Sequence, residues 1–434
     1  MAVVDSPRRS PARRPTSAVA TRRAGRRRQA EVPAPRTTVS RAWGSPVTSY
    51  YLIGGSTLLL LLLGLMMVLS SSSVRSLQES GSPFGAFLNQ TRFALVALPV
   101  AVVISRIPPH WFRRLAWPGM FIAAAMQALV FVPGLRAAAG GNAGWVVIGG
   151  QNLQPAEFGK LGLALWLGAV LGAKGPLLRR WTHVLFPAVF VAVGFLAMLL
   201  YTHDVGTALV LILLIAGALW VAGVPMAMFT VAGTGVTAAV AYLVVSSDNR
   251  RERIAMLFGG GDSDPLGMGL QPRRALQGLG TGGVSGVGLG ESREKWLWLP
   301  EAHNDYIFAI IGEELGLLGT LLVLALFTAL AIGFTRVIRN HPDRFVKITT
   351  AAIGAWILSQ ALINIGVVIG IFPVIGLPLP LVSAGGSALV TTMAALGIVL
   401  AFARHEPGAQ EALAARRSSM RNSLSVVAPR RRGR

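Results

Sequence analysis

Uncharged apolar runs of about twenty residues recur along this 434-residue chain, and they constrain its fold more than any other feature. A run of that length spans the hydrocarbon core of a bilayer as a helix, the form in which a single segment satisfies all its own backbone polar groups. Barrel strands are about half as long and alternate in polarity, which these runs do not. Ten spans are read, near 50–70, 91–106, 115–133, 157–173, 182–201, 205–222, 227–246, 305–335, 348–370 and 382–403. The mean hydropathy of +0.58 agrees. The expected fold class is therefore an all-α polytopic membrane protein with ten transmembrane helices.

Charge then has to be mapped rather than summed. The net +22 would suit a nucleic-acid binder, but residues 1–47 hold eleven Arg against Asp5 and Glu31, and residues 404–434 hold eight Arg against Glu406 and Glu411. Both tails are rich in Arg, Pro and Ser without apolar periodicity and read as disordered, 1–47 before and 405–434 after a membrane domain over 48–404. Their expected neighbour is the anionic inner leaflet, which attracts basic segments. Nucleic acid is not expected, because no aromatic residues interleave the arginines as stacking platforms do. The first apolar run is a full span without a cleavage site, so a cleavable signal peptide is not expected. With no cysteine, disulfides and thiol catalysis are excluded, and six scattered histidines form no HExxH pair.

Short-loop Lys and Arg give the orientation. Placing the N-terminal tail inside also puts Arg113 and Arg114, then Lys174, Arg179 and Arg180, then Arg336, Arg339, Arg344 and Lys347, and the C-terminal tail, inside. The outer loops are then 71–90, 134–156, a turn near 202–204, a long loop over 247–304 between the seventh and eighth spans, and 371–381. The long loop is Gly-rich, with Gly259-Gly260-Gly261 and then Gly278, Gly280, Gly282, Gly283, Gly286, Gly288 and Gly290. Such glycines suit tight turns and close approach to a ligand. Trp296, Leu297, Trp298 and Leu299 follow, a cluster suited to the membrane interface.

Ionisable groups in membrane spans are costly and usually functional. Here they gather toward the outer ends. Glu157 and Lys160 open the fourth span and are either a self-compensating ion pair or a substrate contact. His203 and Asp204 sit at the turn before the sixth span, where Asp204 is either a helix cap or a site residue. Glu301, His303 and Asp305 open the eighth. Glu301 and Asp305 are four apart, so an early helix start would put both on one face. Neighbouring carboxylates raise the pKa of one of them, which suits a general base; the alternative is helix capping. Glu313 and Glu314 lie deeper, and Glu314 is expected to pack or hydrogen-bond between helices. Residues 372–387 carry Pro373, Pro378, Pro380, Gly385, Gly386 and Ser387, a broken stretch at membrane depth. Such backbone is tolerated where it lines a cavity, and free amides there can hold an anion; an ordinary Pro-rich turn is the alternative.

Several motifs then coincide. Gln154-Pro-Ala-Glu157-Phe-Gly-Lys160-Leu resembles QPSEFxKL. His203-Asp204-Val-Gly206-Thr207-Ala resembles PDxGTA. Leu279-Gly-Thr-Gly282-Gly283 with Gly286-Val-Gly288-Leu-Gly290 resembles GSGG…GxGLG. Leu299 through Gly316 resembles LPEAHTDFIFAIIGEELG. Asn364-Ile-Gly-Val-Val through Pro380 and Ser387 resembles NIGVV…GLPLPLISYGGSS. Together, over about residues 50–404, the chain resembles the SEDS family (shape, elongation, division and sporulation), closest to its division branch.

The resemblance implies a ten-helix SEDS-type fold and a glycosyltransferase that polymerises lipid II into glycan strands at the outer face of the cytoplasmic membrane of a bacterium, at the division septum. It implies Asp305 as the catalytic acidic residue. Glu301, His303, Glu157, Lys160, Asp204 and Ser387 are the implied substrate-binding positions. A divalent cation, Mg2+ or Mn2+, is implied as an assistant, with its ligands unassigned and no organic cofactor. A class B penicillin-binding transpeptidase and other division proteins are the implied partners. The chain departs from the pattern at Asn304 (for Thr), His203 (for Pro), Ala384 (for Tyr) and Gly144 before Trp145 (for Arg). The last change removes an expected phosphate contact and leaves Lys160, Arg273 and Arg274 as candidates. The rival functions are a flippase for the same lipid and a scaffold that recruits division proteins. A flippase should carry midplane polar groups and internal symmetry, which this chain lacks.

Overall fold

A computed structural model describes residues 45–139, 142–148, 150–246, 251, 269–296 and 298–415. Both basic tails, except for residues 45–47 and 405–415, and most of 247–268 lie outside the described residues. Eleven helices follow in order: α1 (Thr48–Ser80), α2 (Gly85–Ile104), α3 (Pro109–Ala128), α4 (Pro155–Lys174), α5 (Trp181–Tyr201), α6 (Val205–Ala222), α7 (Met226–Val245), α8 (Leu270–Gly282), α9 (Ile307–Asn340), α10 (Arg344–Val368) and α11 (Gly386–Arg404). Nine of them are long and apolar enough to cross a membrane among the described residues, and α7 is a further apolar helix. The chain is thus a mostly helical, multi-pass membrane protein.

α10 and α11 are the most buried helices. α10 packs on α4, α6 and α9, α11 packs on α1 and α2, and α3 packs on α4. Lipid supplies no hydrophobic drive between helices, so close packing at small residues has to hold them together. A Cβ at Gly168 in α4 would lie 1.9 Å from Thr349 Oγ1 of α10, and one at Gly217 in α6 would lie 2.5 Å from Ala355 Cβ. α7 stands apart: Met228 is its one buried side chain among the described residues. An apolar groove of about 430 Å³ opens between α6, α7 and α10, walled by Leu213, Gly217, Trp220, Phe229 and Leu362.

Several boundaries differ from the hydropathy reading, each for a local reason. α1 runs about ten residues past its apolar stretch. Ser72 Oγ bonds back to Val68 O at 2.6 Å and Arg75 pairs with Glu79 one turn on, so the polar residues stay inside the helical pattern. The helix stops at Gly81, whose φ of 71° is the left-handed conformation of a C-terminal cap. The expected outer loop 71–90 therefore shrinks to residues 81–84. The loop 134–156 holds an antiparallel three-stranded sheet, β1 (Arg136–Ala139), β2 (Asn142–Ile148) and β3 (Gln151–Leu153), with Arg136 opposite Val146 and Val146 opposite Leu153. Its strands are too short to have shown a period in the sequence. α5 is irregular over Leu185–Val189, where Pro187 removes a backbone donor.

α9 is two helical pieces joined at Gly316 (φ 66°, ψ −161°). The Gly-rich segment after α8 fills that break. Val287 and Gly288 donate their N–H groups to the carbonyls of Glu313 and Glu314 (3.0 and 3.1 Å), and Leu317 N–H bonds Gly283 O at 3.0 Å. The glycines allow this backbone-to-backbone approach: a Cβ at Gly282 would lie 1.9 Å from Gly312 O, and one at Gly286 2.1 Å from Glu314 O. The close approach expected toward a ligand is made here toward α9 itself.

Candidate active site

Asp305 lies just before α9, on a tight turn rather than on the helix. The expectation that Glu301 and Asp305 share a helical face is therefore corrected. Glu301 has a φ of 54°, its carbonyl accepts from the N–H groups of Asn304 (3.0 Å) and Tyr306 (3.3 Å), and the helix begins only at Ile307. The N-cap is Tyr306, without a side-chain cap, so capping does not account for Asp305.

Two other segments brace this turn. Asn364 of α10 donates its Nδ2 both to Asp305 O and to Leu377 O, each at 2.7 Å. The segment 371–385 lies alongside as irregular backbone. Ser383 Oγ donates to Asn304 O at 2.6 Å and accepts from Leu379 N–H at 2.8 Å, while Ala384 N–H bonds His303 O at 3.0 Å. The Asp305 Oδ2 atom is 3.5 Å from where a Cβ on Gly376 would sit. The broken backbone thus forms a wall beside the Asp305 turn, buried against protein as tolerance of such backbone at membrane depth requires. Two of its amides, Ala384 and Gly385, are already taken by His303 O and Gln90 Oε1.

Burial, and then the neighbouring Glu301 charge, push the Asp305 carboxyl up to about 7. Burial also pushes Glu301 up. The hydrogen bond and charge of Arg75, aided by His303 and Asn304, outweigh that and hold Glu301 below the usual carboxylate range. Arg75 Nη1 lies 3.0 Å from Glu301 Oε1. His303 is held down, by burial first and by Arg75, against the opposing pull of Glu301 and Glu79.

The remaining expected site residues form a second, deeper cluster. Lys160 Nζ is 2.7 Å from Glu157 Oε1, and both side chains are almost fully buried. Lys160 also donates to Gln360 Oε1 at 3.1 Å and lies 4.7 Å over the Trp356 ring; Thr391 Oγ1 is 3.3 Å from Glu157 Oε2. Gln360 carries the network to the wall, donating to Pro378 O at 2.9 Å. Asp204 does cap α6, accepting from Thr207 N–H at 3.0 Å, and its other oxygen accepts from Gln154 Nε2 at 3.0 Å. Gln154 N–H in turn is 3.4 Å from Ser387 Oγ. Three motifs far apart in sequence thus meet through one glutamine. Arg274 lies 3.8 Å from Glu294 and 4.7 Å over Trp298.

Glu313 and Glu314 are buried and fully engaged. Ser292 Oγ and Arg293 N–H donate to Glu313 at 2.5 and 2.9 Å. Ser70 Oγ donates to Glu314 at 2.6 Å, and Lys295 Nζ lies 3.6 Å from it. This is the interhelical role expected of Glu314.

Sequence reasoning missed Arg75, Gln90 and Gln360, and took Ser383 only as part of the broken stretch 372–387. Gln360 and Asn364 had a signal, two amides one turn apart in a membrane span. Arg75 had none, because it follows an apolar run whose helix was read as ended. The three non-glycine residues with left-handed backbone among those described, His203, Glu301 and Leu381, all belong to these segments. Such strain costs on the order of 1–3 kcal/mol each and gathers at functional sites. Among the described residues no group of three or more His, Asp or Glu converges to hold a metal, and Glu301 is committed to Arg75.

Comparison with known proteins agrees with this geometry. The sequence profile of the FtsW/RodA/SpoVE cell cycle proteins matches residues 51–407. The probable peptidoglycan glycosyltransferase FtsW of Mycobacterium tuberculosis is 41% identical over 390 residues, 90% of this chain and 74% of that protein. Its counterpart in Halorhodospira halophila is 39% identical over 329 residues, 74% of this chain and 82% of that protein. Among solved structures, a peptidoglycan synthase complex described as coordinating polymerization and crosslinking matches with a TM-score of 0.68 at 25% identity, covering 82% of this chain and 97% of that one. The rod shape determining protein RodA of Thermus thermophilus matches with a TM-score of 0.61, also at 25% identity and with the same coverage. Matched over nearly its whole membrane domain, the chain belongs to the FtsW/RodA/SpoVE family of cell cycle proteins, the SEDS family, on its FtsW branch.

Proposed function

We propose that this protein is a peptidoglycan glycosyltransferase that polymerises lipid II into glycan strands during cell division, releasing undecaprenyl diphosphate. Ten helices cross the membrane in this reading, with α7 as the seventh. Both termini are cytoplasmic, and the site with its long Gly-rich loop faces outward at the septum. The basic tails meet anionic lipid. A class B penicillin-binding transpeptidase and other division proteins are the partners.

The observation that carries the reading is Asp305, a partly buried carboxyl poised near 7 in a turn braced from α10 and from the 371–385 wall. Chain growth requires a base to take the proton of an acceptor sugar hydroxyl as that oxygen attacks the anomeric carbon of the donor. Asp305 supplies the base, and a carboxylate with a pKa near the working pH suits that task. The diphosphate leaves as a stable anion and needs no protonation, so one carboxylate suffices. Glu301 and His303 flank the base. Glu157 with Lys160 braces the wall through Gln360, and Asp204 and Ser387 are tied to each other through Gln154. A divalent cation enters with the diphosphate of the substrate.

The rate is expected to rise with pH through about 7, because the base must lose its proton to act. The decisive experiment places purified protein in liposomes with labelled lipid II and no other polymerase. Wild type should make glycan strands, and Asp305→Asn should lose about a hundred- to ten-thousand-fold of that rate while still inserting. An Asp305→Asn variant within a few-fold of wild type would remove Asp305 from the mechanism. Transport of lipid II without polymer would favour a flippase.

A further inference from the structure

We propose that Arg75 is a positioning residue of this site, whose guanidinium, shared between Glu79 and Glu301, pins the Glu301 carboxylate and cancels its charge beside Asp305. The inference rests on Asp305 being the base.

The geometry is specific. α1 continues past its apolar stretch far enough to bring Arg75 to the site turn, 226 residues away in sequence. Nε bonds Glu79 at 2.7 Å and Nη1 bonds Glu301 at 3.0 Å, so one planar fork spans two carboxylates. Glu301 is the residue on which the turn closes. It holds the left-handed backbone and its carbonyl receives the Asn304 and Tyr306 amides on either side of Asp305. A tether at that residue fixes where Asp305 stands.

The charged groups around the pair are few. α1 contributes Arg75 and Glu79, and the turn contributes Glu301, His303 and Asp305. α10 presents the neutral Asn364, and the segment 371–385 contains no titratable side chain. Among the described residues Glu301 is thus the one neighbouring charge that makes Asp305 harder to ionise, and Arg75 is its counter-charge. Arg75 and Glu301 are each 40% exposed, so solvent screens the effect and keeps it moderate.

Arg75→Gln should therefore raise the pH midpoint of the polymerisation rate by about one unit. The rate below the midpoint then falls up to about tenfold and recovers at higher pH. Arg75→Lys loses the fork and should give a smaller rise, which serves as the test where the glutamine variant does not accumulate. In a Glu301→Gln background the lysine substitution, which keeps the charge and loses only the fork, should not move the midpoint, since no carboxylate remains to be pinned. The assay is lipid II polymerisation in liposomes across pH 5.5–9, with a thermal melt of each variant, and Asp305→Asn run alongside. A loss that is uniform across pH, no shift in the lysine variant, or a lysine-variant shift that persists with Glu301→Gln overturns the inference. An active Asp305→Asn instead overturns the base assignment, so the two failures are told apart.

Discussion

Lys160→Met tests whether the deep ion pair supports the fold or touches substrate. Lys160 and Glu157 are 1% and 3% exposed, and Lys160 gives Glu157 its one short contact, at 2.7 Å. Without the ammonium, Glu157 keeps Thr391 Oγ1 at 3.3 Å, and Gln360 Oε1 keeps only the Trp356 indole. Leaving one member of such a pair buried and alone costs about 3–5 kcal/mol. Loss of the cation over Trp356 adds about 1–2 kcal/mol. Against a typical total stability of about 5–15 kcal/mol, the single variant should be severely weakened. Neutralising both partners as Glu157→Gln with Lys160→Met should recover most of the loss, because no unpaired charge stays behind. Unfolding of detergent-solubilised protein followed by tryptophan fluorescence, paired with lipid II polymerisation, reads both outcomes. A supporting pair predicts that stability and polymerisation return together in the double variant. A double variant as stable as wild type that makes no glycan would refute the supporting role and put the pair in contact with substrate.

Two further outcomes are expected. Gly286→Ala places a Cβ 2.1 Å from Glu314 O in a residue with φ of 80°, and should break the Val287 and Gly288 hydrogen bonds into the α9 gap, costing about 2–5 kcal/mol; Gly280→Ala, which meets nothing, should change stability by less than about 1 kcal/mol, and equal melts for the two would refute the docking of the loop on backbone grounds. A reporter joined after Arg434 should read from the cytoplasm and one inserted near Gly260 from outside, and an external C-terminus would overturn the proposed sidedness.

Much of the membrane architecture was legible because hydrophobic length is a one-dimensional signal: nine of the ten expected spans lie on helices long and apolar enough to cross, and the tenth lies on α7. Helix ends were less legible. Ser72 and Arg75 look like the end of a span until one knows that Ser72 bonds back to Val68 and Arg75 to Glu79, and a hydropathy window does not register either contact. The break at Gly316 was equally hidden. The hydropathy of the span as a whole runs on past it, and the docked Gly283–Gly288 backbone accounts for it. At the site, spacing alone put Glu301 and Asp305 on a helix, since sequence carries little warning that a glutamate will adopt a φ of 54°. Gln154 reaching both Asp204 and Ser387 is a tertiary fact, as is the clasp of Arg75 on Glu301.

The two bonds from Asn364 have a mechanical consequence. One amide nitrogen grips both the carbonyl of Asp305 and that of Leu377, so the Asp305 turn and the opposing wall share a peg on α10, beside the Ser383–Asn304 and Ala384–His303 bonds that also join them. A tilt of α10 would carry both jaws together. Asn364→Leu would cut the peg and leave the jaws joined only by the Ser383 and Ala384 bonds, and so looser even with every ionisable group in place. The clearance around Asp305 is therefore set in part like the gauge of a caliper, by an uncharged side chain.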